Sequence, residues 1–232
     1  MKGSAGREPT VAAASSCGHE ALSPSLLAWL AEERLATGTV LDVGTGTGRL
    51  ALALAPRARR VLGIDVDAGA LVEARRRARR AGVGNVLFIV ADAEQVDYRS
   101  LGRPDVVAAH LCMSDAIAAR AAEGLGHGGV LAFAAFHADQ WRETGRVSRF
   151  AYDEERARAV LGAAGFRVEA LAVEQEVARF ASREEAEAHA APFRRKWEAD
   201  GRWEGWQRFL EGGGLALTES RLVVLARREG DS

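Results

Sequence analysis

The chain has 232 residues, of which 48% are hydrophobic, so it is long enough for one large α/β domain with a sizeable core. Its formal net charge of −1 argues against a protein that coats nucleic acid through bulk charge. Because no apolar run approaches the ~18–20 residues that span a bilayer, and the N-terminus lacks a signal-peptide core, we expect a cytoplasmic protein without membrane insertion.

Strand and helix patterns alternate along the chain from residue 39 to residue 165. Apolar runs of strand length lie at 39–43, 60–65, 85–91, 105–110 and 129–136. Alanine-rich helical patterns lie at 48–55, 68–81, 114–124 and 153–165. Strands that alternate with helices predict a parallel sheet with right-handed crossovers.

The last third of the chain has a different order of elements. Two strand patterns, 166–177 and 215–227, flank a polar and aromatic stretch at 182–214 that we expect to be helical. Its three tryptophans and a basic triplet fit two interpretations. They are either a lid over an aromatic or anionic substrate, or the hydrophobic face of a helix packed on the sheet, and the second is the simpler.

A glycine-rich loop, VLDVGTGTG at residues 40–48, follows the first predicted strand and opens a predicted helix. Glycines at such a place let the backbone turn sharply and let a ligand approach the main chain closely. Main-chain N–H groups near the start of the helix can then meet polar groups of the ligand. The loop is therefore the first candidate for a cofactor site.

The spacing of the glycines favours S-adenosylmethionine (SAM) over a dinucleotide. The dinucleotide pattern places its third glycine five residues after the first, where this chain has Arg49, and here the third glycine is Gly48. The carboxylate of Asp42 would also lie poorly beside a pyrophosphate. It suits the sulfonium and ammonium groups of SAM through Coulomb attraction. An NAD-dependent oxidoreductase is thus disfavoured.

Two further acidic positions follow the next two strands. Asp65 ends the second predicted strand about twenty residues after the loop, where a carboxylate can accept both ribose hydroxyls. Asp67 is better placed to cap the helix that follows. After the third strand, Asp92 is a candidate to accept a hydrogen bond from the adenine amino group, and the N–H of Ala93 is a candidate to donate one to a ring nitrogen.

The segments VLDVGTGTGRLALALA, VLGIDVDAGALVEAR and ADAEQV together resemble the class I SAM-dependent methyltransferases. They are similar in particular to the small-molecule enzymes related to the ubiquinone and menaquinone methyltransferases. The resemblance is good from residue 39 to 136 and implies an α/β fold with a Rossmann-like, seven-stranded, mostly parallel sheet. Its last strand is antiparallel and helices cover both faces. It implies one domain over 1–232, with segments 1–37 and 182–214 as a substrate-side cap.

The resemblance also implies the cofactor-binding residues, with SAM as the cofactor. The methionine part would be held by Asp42, Gly44, Thr45 and Gly46, within the loop that Gly48 completes. Asp65 and Val66 would contact the ribose and the adenine face, Asp92 and Ala93 the adenine edge, and His110 the region of the sulfonium. The branch of this family that methylates amino groups of DNA bases carries an Asn/Asp-Pro-Pro-aromatic motif after the fourth strand. Residues 109–112 of this chain read Ala-His-Leu-Cys there, which argues against that activity.

The expected reaction is an in-line displacement on the SAM methyl group, so the protein contributes mainly orientation and exclusion of water. His110 and His137 follow strands at the ligand-binding end of the sheet and are candidate bases, and His19 is a candidate substrate contact. Cys17 and Cys112 are far apart and no carboxylates cluster, so no metal is expected.

The acceptor itself stays open at this point. We expect a small-molecule substrate and no nucleic-acid partner, because no recognisable RNA-binding module is present. The alternatives are an RNA- or protein-directed methyltransferase and a SAM-binding protein without catalytic activity. The sequence gives no oligomeric state.

Overall fold

Seven strands form one sheet in the described part of the chain, which comprises residues 21–35, 37–148 and 150–230 of a computed structural model. The strands are β1 (Thr39–Val43), β2 (Arg60–Asp65), β3 (Val86–Val90), β4 (Val106–His110), β5 (Val130–Phe136), β6 (Phe166–Arg179) and β7 (Ala216–Arg228). Their order across the sheet is β3-β2-β1-β4-β5-β7-β6. The strands β1 to β5 are parallel, and β7 runs antiparallel to both of its neighbours. This confirms the fold class that the sequence predicts.

Several helices begin after a residue whose side chain satisfies free N–H groups of the first turn. Side chains of Asp67, Ser114, Asp153 and Ser182 accept hydrogen bonds from the first turns of the helices that they precede. The helices are α1 (Pro24–Glu32), α2 (Arg49–Leu54), α3 (Ala68–Arg80), α4 (Asp115–Gly124), α5 (Glu154–Ala163), α6 (Arg183–Ala190), α7 (Arg194–Asp200) and α8 (Arg202–Glu211). In this part of the chain, none has the length and apolar character needed to cross a membrane.

Two apolar clusters cover the two faces of the sheet. Successive residues of a strand point to opposite faces, so Val40 of β1 belongs to one cluster and Leu41 to the other. The first cluster includes Leu26, Leu50 and Leu71, from α1, α2 and α3. The second includes residues of α4 and α5. Because both faces are covered, the central strands need apolar residues at nearly every position.

A third, aromatic cluster lies at the end of the sheet where β7 begins. It is built from Trp141, which follows β5, from Trp197 and Trp206 of α7 and α8, and from Leu217 of β7. All four side chains are buried, and the ring centroids of Trp141 and Trp197 are 5.1 Å apart. The stretch 182–214 is helical as expected, and its tryptophans form a small core of their own.

Some details of the sequence analysis differ from the structure or lie outside it. Helix α1 and the segment between β5 and α5, which contains Trp141, were not predicted. Helix and strand ends differ from the predicted ones by one or two residues. Residues 1–20 of the expected N-terminal cap, including Cys17 and His19, lie outside the described residues.

Candidate functional site

A cavity of about 350 Å³ opens at the carboxyl ends of the parallel strands. It lies where the strand order reverses, because β1 pairs with β2 on one side and with β4 on the other. Each of the first five strands contributes to its wall, directly or through the residues that follow it. The lining residues are Gly44, Asp65, Val66, Ala91, Asp92, Ala93, Glu94, Leu111, Cys112, Met113, Ser114, Ile117, Ala135, Phe136, Phe150 and Lys196.

The glycine loop has a backbone that other residues would not adopt without strain. Gly44, Gly46 and Gly48 have φ angles of +64°, +52° and +82°, in the left-handed region. A Cβ on Gly44 would lie 2.2 Å from the Sγ of Cys112, and a Cβ on Gly48 would lie 2.9 Å from the ring of Phe88. The glycines therefore keep the loop close to its neighbours and leave its main chain open to the cavity.

Asp42 lies inside the loop. Its side chain is 1% exposed, and its Oδ2 accepts hydrogen bonds from Thr45 Oγ1 at 2.5 Å and from the N–H of Ala51 at 3.0 Å. Burial raises the pKa of this carboxyl to about 7 despite the two hydrogen bonds. The carboxyl group thus ties the loop to the first turn of α2, and it is not among the residues that line the cavity.

Asp65 connects the loop with the end of β2 and also lines the cavity. Its Oδ2 accepts from the N–H of Gly46 at 2.8 Å, and its Oδ1 from the N–H of Asp67 at 2.9 Å. A carboxylate has about four acceptor positions, so two remain for a ligand. Asp67 caps α3 by accepting from Gly69 and Ala70, as the sequence predicts.

The residues after β3 complete this side of the cavity. Asp92 Oδ1 accepts from the N–H of Glu94 at 2.9 Å, and Glu94 Oε1 accepts from Ser114 Oγ at 2.7 Å across the cavity mouth. Val66 is 67% exposed although it is apolar, and it lines the cavity together with Ala93. An exposed apolar side chain beside a carboxylate suits a flat, partly polar ligand.

The predicted cofactor residues thus fall into two groups. Gly44, Asp65, Val66, Asp92 and Ala93 line one cavity. Asp42, Thr45, Gly46 and Gly48 shape the loop behind it and are not among its lining residues. His110, the remaining predicted cofactor residue, is not among the lining residues either.

The two candidate bases are engaged with protein groups. The Nε2 of His110 accepts from the N–H of Ser23, which caps α1, at 3.2 Å. His137 is 8% exposed, with its Nε2 3.3 Å from Glu154 Oε2 and its Nδ1 accepting from the N–H of Asp139. Among the described residues that line the cavity, neither histidine is present.

Several lining residues were not singled out from the sequence. Cys112 follows β4 and packs against Gly44, and burial raises the pKa of its thiol to about 11, so the thiol is neutral. Its position after a strand of the parallel sheet was the signal that could have identified it. Phe136 and Phe150 reach the cavity from two separate segments, which no local pattern links. Lys196, which also lines it, belongs to the basic triplet 194–196 for which a lid over an aromatic or anionic substrate was one of the two interpretations.

Comparisons with known proteins agree with this geometry. Residues 40–129 match the family described as a methyltransferase domain. An uncharacterised RNA methyltransferase of Halalkalibacterium halodurans is 43% identical over 58 residues, which are 25% of this chain and 13% of that protein. The ubiquinone biosynthesis O-methyltransferase of Acinetobacter baumannii is 36% identical over 88 residues, 37% of each chain. The chain therefore spans only a minor part of the length of these relatives.

A solved structure extends the likeness to the whole fold. Phosphoethanolamine N-methyltransferase 2 of Haemonchus contortus, in complex with S-adenosyl-L-methionine, superposes with a TM-score of 0.56. The match covers 89% of this chain and 52% of that chain at 18% sequence identity. At this identity the likeness concerns the fold alone.

Proposed function

Because residues 40–129 form a class I methyltransferase domain, whose cofactor is SAM, we propose that this protein transfers a methyl group from SAM to a small-molecule acceptor. The observation that carries the proposal is the cavity at the carboxyl ends of the parallel strands. There the glycine loop, the carboxylate of Asp65 and the turn at Asp92 meet on one wall. A glycine-rich loop beside these two carboxylates fits a ligand that is a nucleoside and a cation.

In this proposal the predicted cofactor residues act in two layers, and Asp42 and Thr45 support the loop instead of contacting the methionine part. Gly44 offers its main chain to the methionine part, while Asp42 and Thr45 hold the loop in shape behind it. Asp65 accepts the ribose hydroxyls, Val66 contacts the adenine face, and the turn at Asp92–Ala93 binds the adenine edge. The acidic wall attracts the positive charge of the cofactor.

The cofactor supplies a methyl group that its positive sulfur already activates. The chain then has to bind the acceptor, orient its nucleophilic atom in line and exclude water. His110 and His137 remain the proposed bases, and either would first have to give up a hydrogen bond that it now makes. Their positions outside the cavity wall favour an acceptor that arrives without a proton to lose.

Thermal unfolding with four ligands tests the proposal. SAM, S-adenosylhomocysteine, NAD and NADP are added in parallel at a hundred times a micromolar dissociation constant. A ligand that binds the folded state at this excess stabilises it by about 2.7 kcal/mol, which raises Tm by about 5–10 °C for a chain of this size. We expect the shift with SAM and S-adenosylhomocysteine only. A shift with NAD or NADP instead would require a dinucleotide site.

The RNA-directed alternative has one specific support, the short matches to RNA methyltransferases. An RNA activity would show binding to RNA that weakens steeply with salt, whereas a small-molecule enzyme would not. A SAM-binding protein without catalysis would show the thermal shift without release of S-adenosylhomocysteine in any acceptor screen. We place the activity in the cytoplasm, which fractionation of the producing cells would check.

A further inference from the structure

The cavity has two chemically different sides. On the side of β2 and β3 it is lined by the carboxylates of Asp65, Asp92 and Glu94. On the side of β4 and β5 its wall is mostly apolar. The residues there are Met113, Ile117, Ala135, Phe136 and Phe150. The first side suits the cationic cofactor, so the second is left for the acceptor.

The apolar side contains one positive charge. Among the described lining residues, Lys196 of α7 is the one cation, and its Nζ lies 5.7 Å from the centroid of the Phe136 ring. Within the described chain, its ammonium group makes no hydrogen bond or ion pair. Lys196 is an exposed residue, so an anion can reach its ammonium group, and an ammonium group without a paired anion is a favourable place for an anion to bind.

Asp200, the carboxylate whose charge acts on Lys196, is already engaged by another cation. Both carboxylate oxygens of Asp200 accept hydrogen bonds from Arg202 Nε, each at 3.0 Å. Arg202 is buried, and its guanidinium lies 5.2 Å from the centroid of the Trp141 ring. Desolvation first, and the charge of Arg202 second, lower the pKa of the Lys196 ammonium, while Asp200 opposes them only weakly. Among the described residues, the ammonium therefore has no directly paired carboxylate.

Resting on the proposed function, we infer that the acceptor is a small apolar molecule with an anionic oxygen, that Lys196 binds this oxygen, and that Phe136 and Phe150 contact the apolar part. The charges of the two ligands then match the two sides of the cavity. The cationic cofactor lies against the carboxylates and the anionic acceptor against the ammonium. Lys196 thereby becomes a residue that determines specificity.

The anionic oxygen has two possible sources, a carboxylate apart from the methylated atom or an oxygen that is itself methylated. In the second case a lone pair of the oxygen forms the new O–CH₃ bond while the S–CH₃ bond breaks. The electron pair of the broken bond stays on sulfur, which becomes the neutral thioether of S-adenosylhomocysteine. No proton moves, so the step needs no base.

Matched pairs of ligands test the inference by calorimetry on the full chain saturated with S-adenosylhomocysteine. Benzoate against benzamide probes a separate carboxylate, and 4-nitrophenolate against 4-nitroanisole probes an acceptor oxygen. We expect the anion of at least one pair to bind about tenfold more tightly than its neutral partner, because a charged hydrogen bond is gained. Lys196→Gln should abolish this preference, and Lys196→Arg should keep it.

The neighbouring Arg195 is exposed and does not line the cavity, so Arg195→Gln is the matched control and should keep the preference. Equal binding of anion and neutral partner in both pairs overturns the inference, as does a preference that persists in Lys196→Gln. A tenfold loss of S-adenosylhomocysteine affinity in Lys196→Gln also overturns it, since the ammonium would then bind the cofactor carboxylate. If the wild-type chain does not bind S-adenosylhomocysteine at all, the proposed function itself fails.

Discussion

At the scale of single residues, the buried carboxyl group of Asp42 links the stability of the protein to pH. Its pKa is about 7 in the folded chain and 3.8 for an ordinary aspartate, because burial disfavours the charged form. Between these two values the folded state holds a proton that the unfolded state has released. Stability therefore falls as the pH rises from about 4 to about 7 and is constant above that range.

We predict that Asp42→Asn removes this dependence, since an amide keeps an acceptor oxygen and does not titrate. The difference in the free energy of unfolding, variant minus wild type, should therefore increase by about 2–4 kcal/mol as the pH is raised from 4 to 8. Urea unfolding of both proteins across this pH range measures the difference. The contributions of the other carboxylates cancel, because these groups are the same in both proteins. A difference that does not change with pH would mean that Asp42 is charged in the folded protein.

Within the glycine loop, Gly44 and Gly46 form a matched pair that separates backbone strain from overpacking. A Cβ on Gly46 would meet nothing within 4 Å, whereas a Cβ on Gly44 would overlap Cys112, and both glycines have positive φ. Gly46→Ala should therefore destabilise by about 1–2 kcal/mol through backbone strain alone. Gly44→Ala should cost about 2–5 kcal/mol, because overpacking adds to the strain.

The two alanine variants should also differ in cofactor binding. Gly44 lines the cavity, so its added methyl group and the displaced Cys112 should weaken S-adenosylhomocysteine binding more than Gly46→Ala does. Denaturant unfolding and calorimetry on the same preparations give both quantities. Equal losses of stability in the two variants would show that the contact with Cys112 relaxes without cost.

At the scale of the whole molecule, the aromatic cluster of α7 and α8 is joined to the sheet. The N–H of Trp141 donates to the carbonyl of Thr218, and the carboxylate of Glu143 accepts from the N–H of Thr218 at 2.9 Å and from its hydroxyl at 2.6 Å. Thr218 belongs to β7, whose following residues pair with β5. The aromatic cluster and the strands β1 to β5 that line the cavity are therefore expected to unfold together.

Tryptophan fluorescence tests this cooperativity, because Trp141, Trp197 and Trp206 are three of the five tryptophans of the chain. We predict that thermal transitions followed by fluorescence and by far-UV circular dichroism coincide, and that S-adenosylhomocysteine raises both midpoints equally. A fluorescence transition that the ligand leaves in place would indicate that the cluster is a separate folding unit.

Local patterns predicted most of the fold and one wall of the site. Alternating strands and helices are local features of the sequence. A glycine at positions 44, 46 and 48 likewise indicates a backbone with positive φ, which glycine adopts without strain. On the opposite side of the cavity, the sequence offered Lys196 only within a basic triplet that was open to two interpretations, and it did not link this residue with Phe136. Phe136 and Lys196 are 60 positions apart in the sequence, and only the packing of α7 beside the end of β5 brings them together. The sequence identified Asp42 as a loop residue from its position before Gly44. It did not predict that the carboxyl group is buried, because burial depends on the residues that pack around it in the fold.

The position of β7 also bears on how the sheet assembles while the chain is made. β6 leaves the ribosome before β7, yet among the described strands it pairs only with β7, which also completes the edge of β5. Until β7 enters between them, β6 has no partner and β5 exposes an unpaired edge. Strands β1 to β5, whose ends carry Gly44, Asp65 and the residues after β3 that line the cavity, can pair with one another before β7 is made. Insertion of β7 would then be the late, slow step of folding.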